Sequence, residues 1–220
     1  MKDLAALIGF LLSDGSIYFD KSKRTYCIQF TNKVFGLREK FKTTFESCFG
    51  KQNFRENKCR NAISIRVFSS KIAKKLLTLS PSYRTKQYDD GTHPNCKVPD
   101  FVFSKSEFIA AFIKAYSSSD GCVYANKYHP RGVIEIACYH PLLRIQISEC
   151  LNRLNIQNRI TKKRIVISRK DSVAAFLDKC GFFDESVVCN SNSQNYGIRK
   201  NELLHSFLVQ TLELPAKLST

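Results

Sequence analysis

Leu4 to Gly15, LAALIGFLLSDG, decides how the chain is read, because it occurs twice. Its second copy is Ala110 to Gly121, AAFIKAYSSSDG. The pairs Asp14-Gly15 and Asp120-Gly121 lie 106 residues apart, and the same shift lays Ala5 on Ala111, Gly9 on Ala115 and Ser13 on Ser119. Positions spaced by four make one stripe of small side chains along a helix. Such stripes let two helix backbones come close, as small-xxx-small pairs do between membrane helices. The expectation is that the two helices pack through Ala5, Gly9, Ala111 and Ala115 and so bring Asp14 and Asp120 together.

The rest of the chain repeats around this pair. Asp3 can cap a helix over 4–13, and strands over 16–20 and 24–32 read as a hairpin because Tyr26, Ile28 and Phe30 alternate with Thr25, Cys27, Gln29 and Thr31. A helix over 34–48, a second hairpin of 51–57 and 60–69, and a helix over 71–79 follow. Residues 80–103 hold three prolines and an Asp-Asp-Gly turn, and read as a linker. Ser104 and Glu107 then suggest a capping box for a helix over 105–119. The order recurs with a hairpin of 122–126 and 132–140, a helix over 141–154, a hairpin of 156–163 and 164–170, and a helix over 171–180. The fold class is α+β: two pseudo-symmetric αββαββα repeats, 1–79 and 104–181, joined by the linker 80–103. Their antiparallel sheets would form a saddle, with the helices on its convex side. The extension 182–220 has no counterpart in the first half; it should carry one helix over 201–212, packed on the second repeat.

Composition limits the partners. Lysine and arginine outnumber aspartate and glutamate 35 to 19, a formal charge of +16 spread along the chain. That suits a polyanion, most simply nucleic acid. A hydrophobic content of 43% with 12% aromatics indicates a globular chain rather than a disordered one. Nine cysteines include no CxxC pair, the number is odd and no signal peptide opens the sequence, so they read as buried or half-buried free thiols in an intracellular protein. A zinc site built from His93 and Cys96 is the weaker alternative. No apolar run reaches the length of a membrane span.

Each aspartate follows the last turn of its helix, at the negative end of the macrodipole. A single Asp-Gly is ordinarily a turn. Two such carboxylates facing one another repel unless a cation lies between them. A hard divalent ion fits, and magnesium keeps waters while binding one or two carboxylates and phosphate. Paired acids, a basic chain and no glycine loop for phosphate together point to metal-assisted phosphodiester hydrolysis.

The doubled helix-plus-acid motif in this αββαββα order resembles the LAGLIDADG homing endonucleases. Ile8 to Gly15 matches the motif well, with Leu12 where the family often has a non-catalytic acid. Ile113 to Gly121 keeps the acid, the glycine and the small positions. VPDFVFSKSEFIAAF before it is similar to the family's lead-in, and the resemblance spans about residues 3–181. It implies a site-specific endonuclease that makes a double-strand break at a long asymmetric site and promotes intron mobility, acting as a monomer on double-stranded DNA. Asp14 and Asp120, with Gly15 and Ser119 beside them, would hold Mg2+ or Mn2+; no organic cofactor is implied. Asn32 and Lys33 would complete the catalytic group in the first repeat. The second has Cys138-Tyr139-His140 there, leaving His140 or Lys127 as substitutes. The DNA-facing set would be Ser16, Tyr18, Asp20, Arg24, Thr25, Gln29, Thr31, Arg60, Ser64 and Arg66, with Tyr124, Asn126, Lys127, Glu135, Arg164 and Ser168 in the second repeat. Cys27 and Cys122 share that parity.

Two other functions fit the same resemblance: an intron maturase with intron RNA as its partner, and a DNA-binding regulator that does not cut. Retention of both acids favours cleavage, since binding alone needs no carboxylate near a phosphate. The chain shows neither an opening splicing nucleophile nor a closing His-Asn, so a free-standing form is expected rather than an intein-borne one.

Overall fold

A computed structural model of the chain describes residues 1–126 and 129–210. α1 (Lys2–Ser13) buries every residue from Ala5 to Leu12. A helix that is apolar all round belongs in the middle of a domain. Asp3 is not its cap: Met1 is, and Asp3 accepts a hydrogen bond from the Ser47 hydroxyl. β1 (Gly15–Asp20), β2 (Thr25–Asn32), α2 (Phe35–Phe49), β3 (Arg55–Cys59), β4 (Ala62–Phe68) and α3 (Ser70–Leu79) follow, with the strands in the antiparallel order β1-β2-β4-β3. After a 3-10 turn at Asp100–Ser104 come α4 (Ser106–Asp120), β5 (Gly121–Asn126), β6 (His129–Ala137), α5 (Pro141–Arg153), β7 (Arg159–Ile160), β8 (Arg164–Ile167) and α6 (Lys170–Lys179). Their sheet order, β5-β6-β8-β7, repeats the first. α7 (Lys200–Gln210) closes the described chain.

The α1–α4 seam is as tight as the small-residue stripes imply. A Cβ at Gly9 would lie 2.5 Å from the Phe112 carbonyl oxygen and 2.9 Å from the Ala115 Cβ. Ala5 and Ala115 are fully buried and Ala111 is 8% exposed. Because backbone fills the space, Gly9→Val is expected to cost about 3 kcal/mol, at the upper end of overpacking penalties. Urea unfolding of the variant checks this, and an unchanged midpoint would refute the close seam.

Several expectations fail for physical reasons. β3 begins at Arg55 rather than 51, because Phe54 turns towards Phe45, with ring centroids 6.0 Å apart. β7 is two residues long: Ile156 is fully buried and Asn158 bonds to Ser148 and Asn152 of α5 instead of entering a ladder. The capping box does not form. Ser104 donates to the Phe101 carbonyl and α4 is capped by Lys105.

The stretch 80–103 is no loose tether, since Tyr83, Cys96, Val98 and Val102 are all fully buried. The Tyr83 hydroxyl donates to the Leu76 carbonyl at 3.0 Å and the Val98 N–H to Gln146 at 2.9 Å. The closing helix α7 packs on β5, β6 and α6 of the second repeat, while the stretch before it also reaches the first. Phe183 stacks on Phe10 of α1 at 5.4 Å, and the Glu185 side chain occupies the space where Gly36 has no Cβ. All nine cysteines are free, but Cys59, Cys122 and Cys189 are exposed rather than covered.

Candidate active site

α1 and α4 end side by side, so their C-terminal carboxylates share one half-buried site. The Asn32 amide, at the end of β2, donates to Asp14 Oδ2 at 2.7 Å. Its own oxygen accepts the Val34 N–H at 2.8 Å, which fixes the amide's orientation. Burial raises the Asp14 pKa, offset by the Asn32 hydrogen bond and by the charge of Lys200. Burial also pushes Asp120 well above the carboxylate range, the charge of Asp14 pushes it further, and Lys200 pulls it back.

Lys200 is the group that sequence reasoning missed. Its side chain is 6% exposed and donates to the Ser118 carbonyl at 3.0 Å, beside both aspartates. Burial lowers its pKa to about 8 against the pull of Cys189, Cys122 and the two acids. The signal was present in the expected helix near 201–212. Leu203 and Leu204, three and four positions on, are both buried, so Lys200 falls within the apolar stripe of α7. A cation there either leaves the interior or has acidic company.

Lys33, by contrast, is exposed and lines a neighbouring basic cavity with Arg38 and Arg60. His140 is unfit as its substitute in the second repeat. It is 3% exposed, its Nδ1 accepts the Leu143 N–H and its Nε2 donates to the Pro94 carbonyl at 2.7 Å. Both ring nitrogens thus hold the linker against α5, and burial lowers its pKa. Cys138 stands where the first repeat has Asn32, its pKa raised to about 11 mainly by burial, so Asp120 has no matching amide donor. Ser119 donates to the Ala115 carbonyl at 3.4 Å and, with Gly121, lines a small cavity that reaches Lys200. Gly15 opens β1 directly after Asp14.

The donor set suits a hard divalent ion that brings its own waters. It has two carboxylates and, among the described residues, no group of three or more His, Cys, Asp or Glu. The same observation leaves His93 and Cys96 without a zinc set.

Cross-strand pairs occupy the outer sheet face. Arg66 Nε donates to Gln29 at 3.1 Å, Thr31 and Ser64 share a 2.7 Å hydrogen bond, and Glu135 accepts from Tyr124 at 2.8 Å and from Arg164. Ser64 is only 1% exposed and Cys27 is fully buried beside its cross-strand partner Tyr18, so neither is open to a ligand. Thr25 bonds to Ser70 at 3.0 Å. The Asp20 carboxylate is spent on its own turn, accepting from the Ser22 and Lys23 N–H groups. Arg24 and Arg60 lie in hairpin turns at positive φ, not on strands. Ser168 falls just past β8, while Ser16 and Asn126 are strand residues. Lys127 lies outside the described residues.

Two αββαββα units meeting on small-residue helices that end in paired acids define the LAGLIDADG fold, and residues 107–181 match the family model of the LAGLIDADG-like domain. That match covers the second repeat. Mesophilic variants of the homing endonuclease I-DmoI share the fold at 18% identity and a TM-score of 0.60, over 82% of this chain and 95% of theirs. So does I-DmoI in complex with DNA and Mn, at 16% identity and 0.59, over 82% and 96%. Full-length DUF199/WhiA from Thermatoga maritima aligns at 15% identity and 0.59, over 99% of this chain and 62% of that one. In sequence, the Replication factor C small subunit of Pyrococcus horikoshii is 28% identical over 96% of this chain. The chain spans only 22% of that curated relative's length. Among the described residues, no helix is long and apolar enough to cross a membrane.

Proposed function

We propose that the chain is a divalent-metal-dependent DNA endonuclease of the homing type, which breaks both strands of a long asymmetric site as a monomer and so promotes intron mobility. The observation that carries this reading is the pair Asp14 and Asp120, held at adjoining helix ends with the buried cation Lys200 beside them. Pure binding would gain nothing from two partly desolvated carboxylates next to a phosphate backbone. Asp14 and Asp120 would hold Mg2+ or Mn2+, which supplies Lewis acidity and charge neutralisation at the scissile phosphates. Asn32 orients Asp14 and leaves its second oxygen free, and Lys200 moderates the charge of the pair. The Gln29–Arg66 pair and the Tyr124–Glu135–Arg164 group would meet base edges in the major groove, with Lys and Arg on phosphates.

The two halves are unequal, Asp14 being oriented by an amide and Asp120 facing a thiol position. Cleavage of a supercoiled plasmid carrying the site should therefore pass through a nicked form. The test is incubation with Mg2+ or Mn2+ and a randomised duplex library, then sequencing of any ends. Divalent-dependent double-strand breaks at one sequence, lost with EDTA, are expected. Tight DNA binding with no cleavage in either metal would favour the non-cutting regulator, and binding of intron RNA alone the maturase.

A further inference from the structure

The corner between β2 and α2 has a twin between β6 and α5, and each twin holds a basic cavity outside the acid site. Arg38 and Arg144 are 106 residues apart, as the two aspartates are. Arg38 Nη1 donates to the carbonyls of Asn32 and Lys33 at 3.0 and 2.8 Å. Arg144 Nη1 does the same to Cys138 and Tyr139, at 2.8 and 3.4 Å. Each arginine pins a strand end to the following helix and lines a basic cavity there. The first has a volume of 460 Å³ and is walled by Lys33, Lys58 and Arg60. Its one acid, Glu56, is held by Lys42 at 2.7 Å. The second measures 580 Å³, and Lys86, His93, Lys162 and Lys163 line it with no acid among them.

The second cavity also contains an unmet demand. Arg144 Nε and His93 Nδ1 are buried and have no hydrogen-bond partner. Arginine Nε always carries a proton, so it needs an acceptor that none of the described residues provides. Three lysines around such a donor are complementary to an oxyanion, and a phosphate fits. The position says which phosphate. Asn32, bonded to Asp14, pairs with Ile63 just past the Arg60 turn. In the second sheet, Ala137 pairs with Arg164 and the Cys138 N–H donates to the Lys163 carbonyl at 2.9 Å. Both cavities thus open at the acid-bearing ends of their sheets.

We propose that these cavities are repeat-related seats for backbone phosphates of bound nucleic acid, flanking the acid pair, with the Arg144 seat the more demanding. The inference rests on the nucleic-acid reading above and adds that the stretch 80–103, through Lys86 and His93, is part of the interface. The test compares wild type with Lys86→Met/Lys162→Met/Lys163→Met on a duplex oligonucleotide across a salt series. Lys71→Met/Lys74→Met, on exposed positions of α3, serves as the control. Losing one phosphate should make the slope of log K against log salt shallower by about 0.9, and the control should not change it. An unchanged slope in the triple variant, or an equal change in the control, overturns the seat. Inorganic phosphate provides the second arm. If it shifts the His93 ring resonances while duplex DNA does not, the cavity serves a free anion and the proposal fails. If the wild type does not bind DNA at all, it is the nucleic-acid reading itself that falls.

Discussion

Asp14→Asn and Asp120→Asn are each expected to reduce DNA cleavage by roughly 10³-fold or more, the scale set by losing several kcal/mol of metal-assisted stabilisation. Binding of the duplex should persist, because the exchange keeps the side chain's shape and removes a negative charge near phosphate. Stability should move in the opposite direction to activity. Both carboxyl pKa values are raised, chiefly by burial, and Asp120's also by Asp14. A carboxyl whose folded-state pKa lies above its unfolded value stabilises at low pH and loses that contribution as pH rises through the folded value. That contribution shrinks as pH rises above the unfolded carboxyl value, so at neutral pH without metal the wild type bears a penalty that each asparagine variant escapes. Melting in EDTA should therefore show the variants unfolding above the wild type at pH 7, with the gap closing towards pH 4. A variant that cuts DNA like the wild type would remove the assignment. One that melts lower at pH 7 would show the acids to be structural.

The fold was legible in the sequence because periodic features were repeated. One copy of a small-residue stripe is ambiguous, whereas two at a constant offset specified the seam that Gly9 and Ala115 form. Strand parity placed Gln29 and Arg66 on one outer face, where they now pair. Parity could not show which outer residues are covered from above. The Tyr18–Cys27 pairing and the Thr31–Ser64 bond depend on cross-strand register, which for the second is set between residues 33 apart in sequence. Asn32 lay next to the motif in the resemblance, but nothing local linked Asp14 to Lys200, 186 residues away. That contact comes from a segment outside the repeat, so a search confined to the two units could not reach it. The extension bridges the halves because Phe183 finds Phe10 and Glu185 finds the open flank of Gly36, while Ser186 bonds to Ser118.

Lys200→Met should separate the cation's electrostatic role from its packing. The methionine keeps the buried stem and removes the charge between Phe182 and the acid pair. Loss of a preorganised charge of this kind is expected to slow single-turnover cleavage roughly 10²- to 10³-fold. Half-saturating Mg2+ should nevertheless fall, because a cation beside two carboxylates competes with a metal for them. A purely structural lysine would lower the rate without tightening metal binding. Lys200→Arg, which retains the charge, should recover part of the rate. Folding equilibria give a second check. Lys200 titrates near 8 in the folded chain against an ordinary 10.5, so its favourable contribution is present above pH 10.5 and is lost as pH falls through 8. Between those limits the unfolding free energy of the wild type should gain on that of the Met variant by about 3 kcal/mol, the linkage equivalent of the shift. A difference that stays flat from pH 8 to 10.5 would mean that Lys200 keeps its ordinary pKa in the folded chain, its charge either solvated or fully offset by the two acids.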